Sequence, residues 1–485
     1  MEKIRSLIIL FFILIFLQFI LWIQSPSEAV VSFLKYYSCF IYLFCIALLL
    51  CIKTVIVFPY IFYLLTFGVF ILSRVFLDVL GFEDAYFYVA TWAGDWSYFS
   101  LPIQFEMLNS IIFYLLFSFV GFLSSCLFIN RSDCETCIKN DSLILKIRRL
   151  GFFLFMIFCV PYLLYLYQAV KFVVENGYVA VYLNESSTTV DNPILRISDD
   201  FCLAGIYLYL STFPVGKKYV FVSCFYIFTL LILLGTGGRS ATFTQVLTFL
   251  VYLGIRGIRV DWKWMLRFVL IGFGLIYVAQ LVNDFRDNGF KGLDQKKDEV
   301  IFTQLLQSFF WQQGTSIQTI GRTIQYADEV TNGWLYFVGP ITNSLRENKL
   351  MEYWGLGIPG GQTLGTVMEG YSWANWLSYK VSPKYYLNGH GMGSSTIAES
   401  YLLGNMFGVM IVGYIYTFII MRFIARCKKK YSYMYMLFYM LPVFFISPRA
   451  APLSIITALY RPFCILFCIQ LVCWYKRKCK LNYLF

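Results

Sequence analysis

Residues 219–255 read YVFVSCFYIFTLLILLGTGGRSATFTQVLTFLVYLGI: two apolar runs, 219–234 and 241–255, that meet at Gly235-Thr236-Gly237-Gly238-Arg239-Ser240. A membrane helix takes roughly 20 residues at 1.5 Å each, so either run supplies most or all of a span. The break between them carries the information. A charged side chain this close to hydrocarbon is expensive and is kept where it has a partner or a task. Arginine offers a fixed fork of donors that matches phosphate or carboxylate, and glycines let backbone approach a ligand closely. The stretch predicts a helical hairpin in a membrane, with an anion-binding turn.

The same pattern recurs outward in both directions. Of 485 residues, 59% are hydrophobic and 14% charged, whereas soluble domains carry about 25% charged residues. Apolar runs at 7–24, 37–52, 54–77, 107–128, 151–172, 197–214, 219–235, 240–256, 265–283, 396–421, 432–447 and 453–474 predict an all-α polytopic membrane protein with about twelve transmembrane helices. The first run follows Lys3 and Arg5 like a signal peptide. It lacks a small-residue cleavage site and more spans follow, so it is expected to stay as the first span.

The net charge of +12 does not imply a nucleic-acid partner, because the basic residues gather in short loops between spans and set orientation. Most of the fourteen cysteines, Cys39, Cys45, Cys159, Cys224, Cys464 and Cys468 among them, sit in apolar runs and act as small hydrophobes. Cys134 and Cys137 form a lone CxxC, half of a zinc site, and read as reduced loop cysteines.

Basic residues mark alternate loops: Lys3 and Arg5, Lys53, the run from Arg131 to Arg149, Lys217 and Lys218, Arg256 to Arg267, Arg426 to Lys430, and Lys476 to Lys480. The intervening loops carry Glu83, Asp84, Asp95, Glu106, Glu175, Glu185 and Asp191, with Lys35 as the mild exception. This asymmetry predicts cytoplasmic termini and places both the Arg239 turn and segment 284–395 outside. The expected organisation is membrane helices 1–9 over residues 1–283, a large external loop over 284–395, and helices 10–12 over 396–485. The loop is nearly neutral. It shows short amphipathic patterns at 299–313 and 316–328, then Gly- and Trp-rich stretches, and its Trp and Tyr content argues against disorder.

Cationic groups collect near the outer span ends: Arg239, Arg322, Arg346, His390, Arg449 and Arg461. Arg449 lies in Ser447-Pro448-Arg449-Ala450-Ala451-Pro452, a break between two apolar runs. Arg461 lies about two turns into the last run. It reads either as an arginine snorkelling to the interface or, with Arg239 and Arg449, as part of a pocket for a multivalent anion such as diphosphate.

His390 sits in Asn388-Gly389-His390-Gly391-Met392-Gly393-Ser394-Ser395, which leads into a helix start, a ready anion site through its backbone N–H groups. The imidazole is a phosphate donor, a proton-transfer group, or a hydrogen-bonded loop histidine. Glu399, one turn further, is a base for a sugar hydroxyl or a salt-bridge partner for an arginine. Arg322, Gln313 and Trp311 lie in a stretch of amides and hydroxyls suited to carbohydrate, with Trp311 and Trp334 able to stack on sugar faces; a polar surface helix is the plainer alternative. The paired acids Glu83 and Asp84 read as ordinary external acids, and Arg74 with Asp78 as an intrahelical i, i+4 pair. No Asp-x-Asp signature or external acidic cluster appears, so no metal and no cofactor are expected.

The Gly-Thr-Gly-Gly-Arg-Ser turn resembles those of Wzy-type O-antigen and repeat-unit polymerases. So do Phe310-Trp311-Gln312-Gln313-Gly314-Thr315-Ser316, the run from Gly389 through Glu399, and a long external loop after about nine spans. The resemblance implies a bacterial inner-membrane enzyme with a fold like the C-type glycosyltransferases. It would join oligosaccharide units carried on undecaprenyl diphosphate, as both donor and acceptor, at the external leaflet. It implies diphosphate-holding arginines at Arg239, Arg449 and Arg461, an acceptor base among Glu399 and His390, and a chain-length regulator as a candidate partner. An O-antigen ligase shares this topology and donor. A lipid-linked oligosaccharide flippase or other transporter also fits twelve spans, although two similar halves are not evident.

Overall fold

A computed structural model describes residues 2–52, 56–82, 85–92, 94–129, 142–183, 190, 192–237, 239–257, 302–347, 351 and 353–482. The predicted span 265–283, the Cys134–Cys137 pair, Glu83, Asp84, Glu185 and Asp191 lie outside these residues, as does the side chain of Arg239.

Helices follow the apolar runs. They are α1 (Glu2–Trp22), α2 (Glu28–Cys51), α3 (Val57–Val79, with a π-helical turn at Gly68–Leu72), α4 (Leu101–Leu127), α5 (Ser142–Asn176), a single turn α6 (Ala180–Leu183), α7 (Pro193–Ser211), α8 (Lys217–Leu234) and α9 (Arg239–Ile255). After the segment predicted to be external come α16 (Thr396–Ala425), α17 (Tyr431–Ile446) and α18 (Ser454–Asn482). A two-stranded antiparallel hairpin, β1 (Val89–Trp92) and β2 (Asp95–Tyr98), joins α3 to α4.

Eleven of the twelve predicted spans coincide with a helix, but only eight helices among the described residues are long and apolar enough to cross a membrane. The remaining three fall short for physical reasons. α9 has 17 residues and α17 has 16, or about 25 Å of helix against a hydrocarbon core near 30 Å. α7 carries Arg196, Asp199 and Asp200.

Inside the bundle, polar side chains pair with one another, as they must where no water reaches them. Ser118 on α4 hydrogen-bonds both Tyr60 (3.0 Å) and Thr417 (2.8 Å), Tyr63 bonds Tyr114 (2.8 Å), and Gln18 donates to Asn109 (2.6 Å). α5 and α7 touch through glycine: a Cβ on Gly151 would stand 2.6 Å from the Tyr209 nitrogen, and one on Gly205 would stand 2.6 Å from the Phe155 nitrogen. Such contacts let backbones pack where lipid gives no hydrophobic drive. At the end predicted to be cytoplasmic, arginines close helix ends. Arg148 binds Thr212 O (2.8 Å), Arg256 binds Pro214 O (2.6 Å) and Arg422 binds Phe128 O (2.6 Å), supplying donors for orphan C-terminal carbonyls.

The segment predicted to be external holds more regular structure than its sequence suggests. Helices were expected near 299–313 and 316–328, and α10 (Phe302–Gln313) and α11 (Ser316–Tyr326) form there. α12 (Gly333–Arg346), α13 (Leu364–Glu369), α14 (Trp373–Val381) and α15 (Pro383–Leu387) were not expected. Such short helices show little periodicity and depend on tertiary packing. α11 is buried from Ser316 to Thr323 and packs on α4 and α16, so this part of the loop is bundle core rather than a surface appendage.

One predicted pair is corrected. Asp78 does not bind Arg74; its carboxylate takes Lys35 of α2 at 2.8 Å and the Phe87 N–H. Arg74 instead donates to Trp311 O (3.0 Å) and Val89 O (3.2 Å) and lies 3.7 Å from the Trp311 ring centre. Partners on other elements outcompete the weak i, i+4 attraction.

Candidate active site

A cavity of about 780 Å³ opens where the loops at the predicted external end converge, a size typical of ligand sites. Four patches distant in sequence meet on its wall: Gly237 and Ser240 from the α8–α9 turn, Gln313 from the end of α10, His390 with its flanking glycines, and Arg449.

Local physics places each of them. Gly237 has φ +78°, and a Cβ there would strike the Tyr178 ring at 2.6 Å; Gly389 has φ +88°, and its Cβ would strike Val179 at 2.5 Å. Both turns need glycine for conformation and for closeness. Ser240, in the first turn of α9, brings a helix N-terminus to the cavity, and Ala374 and Asn375 do the same for α14. The His390 ring stacks on Tyr385 (4.0 Å, 5° between planes), which in turn packs edge-on against Trp92 of β1 (5.0 Å). Ser378 accepts from the Met392 N–H (2.9 Å) and steadies the glycine-rich loop.

Arg449 ends a 3₁₀ turn, Ser447–Arg449, that Thr396 of α16 ties down by donating to Ser447 O (2.6 Å) and Ala450 O (3.1 Å). Its guanidinium donates to Gln313 Oε1 at 3.4 Å. No carboxylate pairs with it among the described residues. Burial pulls its pKa below the usual arginine value, while the nearby Tyr178 and Tyr182 hydroxyls act the other way. A desolvated, uncompensated guanidinium facing a cavity is a site for an anion.

The other predicted residues lie elsewhere. Arg239 is the first residue of α9, between cavity-lining Gly237 and Ser240, with its side chain outside the described residues. Arg461 does not line the cavity; it is exposed and binds Asp200 of α7 at 3.3 Å and the Tyr460 hydroxyl at 2.8 Å. Trp311 offers no free ring face to a sugar on the side that Arg74 covers. Arg322 is held by Gln325 (2.9 Å) and Ser97 (2.7 Å), inside the fold. Glu399 is buried away from the wall. One of its oxygens accepts from Ser394 (2.6 Å) and the other has no partner, so it braces the glycine-rich loop from behind. Arg346 clamps its own turn through Leu356 O and Glu369 O.

Sequence reasoning missed part of the wall: Tyr178 and Tyr182 after α5, Glu347, and Gln362. The two tyrosines bond each other (2.6 Å), and the Tyr182 carbonyl accepts the Gln362 N–H (3.0 Å). Two tyrosines four apart directly after Gly177 were a readable signal. Glu347 had none beyond lying next to Arg346.

Fold and site together define a multi-pass helical membrane protein with a polar, arginine-bearing cavity at one end of its bundle. The chain belongs to the O-antigen polysaccharide polymerase Wzy family, whose profile matches residues 7–478. No curated protein and no solved structure matches it.

Proposed function

We propose that the cavity holds the diphosphate of an undecaprenyl-linked oligosaccharide at the external face of a bacterial inner membrane, and that the growing glycan leaves this carrier for a hydroxyl of the next lipid-linked unit. The observation that carries this reading is Arg449: a desolvated guanidinium with no carboxylate partner among the described residues, on a wall shared with two glycine turns and two helix N-termini. These groups stabilise the charge that develops on a departing diphosphate. Arg239 is assigned as a second ligand from its place at the head of α9. His390, on the same wall, is a donor to phosphate or a proton acceptor. Arg461, held by Asp200, is left out of the ligand set.

The test replaces Arg449, and separately Arg239, with Ala and with Lys. Lysine keeps the charge and loses the fork. Each variant is expected to lose polymer by roughly 10²-fold or more at an unchanged protein level, by analogy with the loss of one charge-stabilising donor. A full glycan ladder from Arg449→Ala would sink the assignment.

A further inference from the structure

We propose that Glu347 is the catalytic base, accepting the proton of the acceptor sugar hydroxyl as that oxygen attacks the anomeric carbon. The proposal rests on the polymerase reading of the cavity and names a residue that neither the motifs nor the family match points to.

The geometry is simple. Glu347 caps the C-terminus of α12 and is the sole carboxylate residue on the cavity wall among the described residues. Its backbone N–H is used, donating to Asn343 O at 2.7 Å. Among the described residues its carboxylate has no hydrogen bond and no ion pair, although cationic Arg346 is the preceding residue and Arg449 shares the wall. Arg346 has its guanidinium turned to backbone carbonyls instead. Glu347 is exposed, so its carboxylate is open to solvent and to an incoming hydroxyl at the cavity wall. Partial desolvation pushes the Glu347 pKa above the usual carboxylate value, which brings a carboxylate nearer the working range of a general base. The remaining titratable groups on the wall are His390, Tyr178, Tyr182 and Arg449. Glu399, the acid flagged by sequence, is engaged with Ser394 and lies behind the wall.

The step balances. A bond forms between the acceptor oxygen and the anomeric carbon, and the bond from that carbon to the diphosphate oxygen breaks. The electron pair leaves on the diphosphate, where Arg449 faces it. The hydroxyl proton passes to the Glu347 carboxylate and from there to solvent. No metal, oxidant or reductant is required.

The experiment uses full-length protein in liposomes with undecaprenyl-diphosphate-linked units extracted from a strain lacking it. For wild-type protein, the rate should rise with pH through the Glu347 ionisation and then level off, since only the carboxylate form accepts a proton. Glu347→Gln should cut the rate about 10²- to 10⁴-fold, leave KM little changed, and flatten that rising limb. Glu347→Asp should keep the limb at a reduced rate. Wild-type rate and pH profile from Glu347→Gln would overturn the role of Glu347 while leaving the polymerase reading intact, as would a Glu347→Asp protein that is present yet shows no limb. Wild-type protein that lengthens nothing would overturn the polymerase reading itself.

Discussion

Arg74 is 1% exposed within α3 and does not line the cavity, yet it links both sides of it. Through Trp311 it fixes the end of α10, two residues from the Gln313 that meets Arg449. Through Val89 it fixes β1, whose Trp92 packs on the Tyr385 that carries the His390 ring. Lysine could keep the charge but could not make both bonds and lie flat on Trp311. Losing one charge-assisted hydrogen bond and the ring contact should cost about 2 kcal/mol. Arg74→Lys is therefore expected to lower the melting temperature of the detergent-purified protein and to weaken polymer formation without abolishing diphosphate binding. An unchanged melting temperature would show that the two anchors are redundant. Sequence could flag Arg74 as a buried charge. It could not reveal the partner, because Trp311 lies 237 residues away and the local carboxylate at i+4 was the visible candidate.

At the scale of elements, long spans were legible and short helices were not. α1, α2, α4 and α16 announce themselves by unbroken apolar length. α12, α14 and α15 do not, since their stability comes from neighbours: Gly333 lies against Leu402 O and Gly339 against Tyr371 O. Where a close contact is encoded, one glycine marks it. α5, at 35 residues or about 52 Å, is longer than the membrane core, and its C-terminal end delivers Gly177 to Tyr182 to the cavity. It is held upright by the Gly151–Gly205 contact with α7. Gly205→Leu should push the two helices apart at a cost of about 1–3 kcal/mol, shifting Tyr178 and Tyr182 without touching a site residue. The expected result is a less stable protein with shortened glycan chains, read by thermal denaturation and by ladder length. A variant matching wild type on both counts would mean that α5 is positioned from its other neighbours.

At the scale of the molecule, the two ends of the bundle use their charges differently. At one end Arg148, Arg256 and Arg422 satisfy helix carbonyls and hold short turns shut. At the other, Arg449 has no carboxylate partner among the described residues and stands beside an open cavity. The alternation of basic and acidic loops predicts from sequence which end faces which side, because loop charge is a one-dimensional signal that can be read without knowledge of the fold. Which outer residues share a wall was beyond it, since six outer cations looked alike until packing sorted them: Arg322, Arg346 and Arg461 have protein partners, and Arg449 faces the cavity. If the cavity end is external, a membrane-impermeant maleimide applied to spheroplasts should label Ser240→Cys and Asn375→Cys. It should label Lys430→Cys, in the α16–α17 turn, only after lysis. Among the described residues, the native exposed cysteines Cys51, Cys224, Cys464 and Cys468 lie in apolar helices, and wild-type protein supplies the background to subtract. The reverse labelling pattern would put Arg449 on the cytosolic side. A lipid diphosphate presented at the outer leaflet could not reach it there, and the transfer reaction would have to be abandoned along with the orientation.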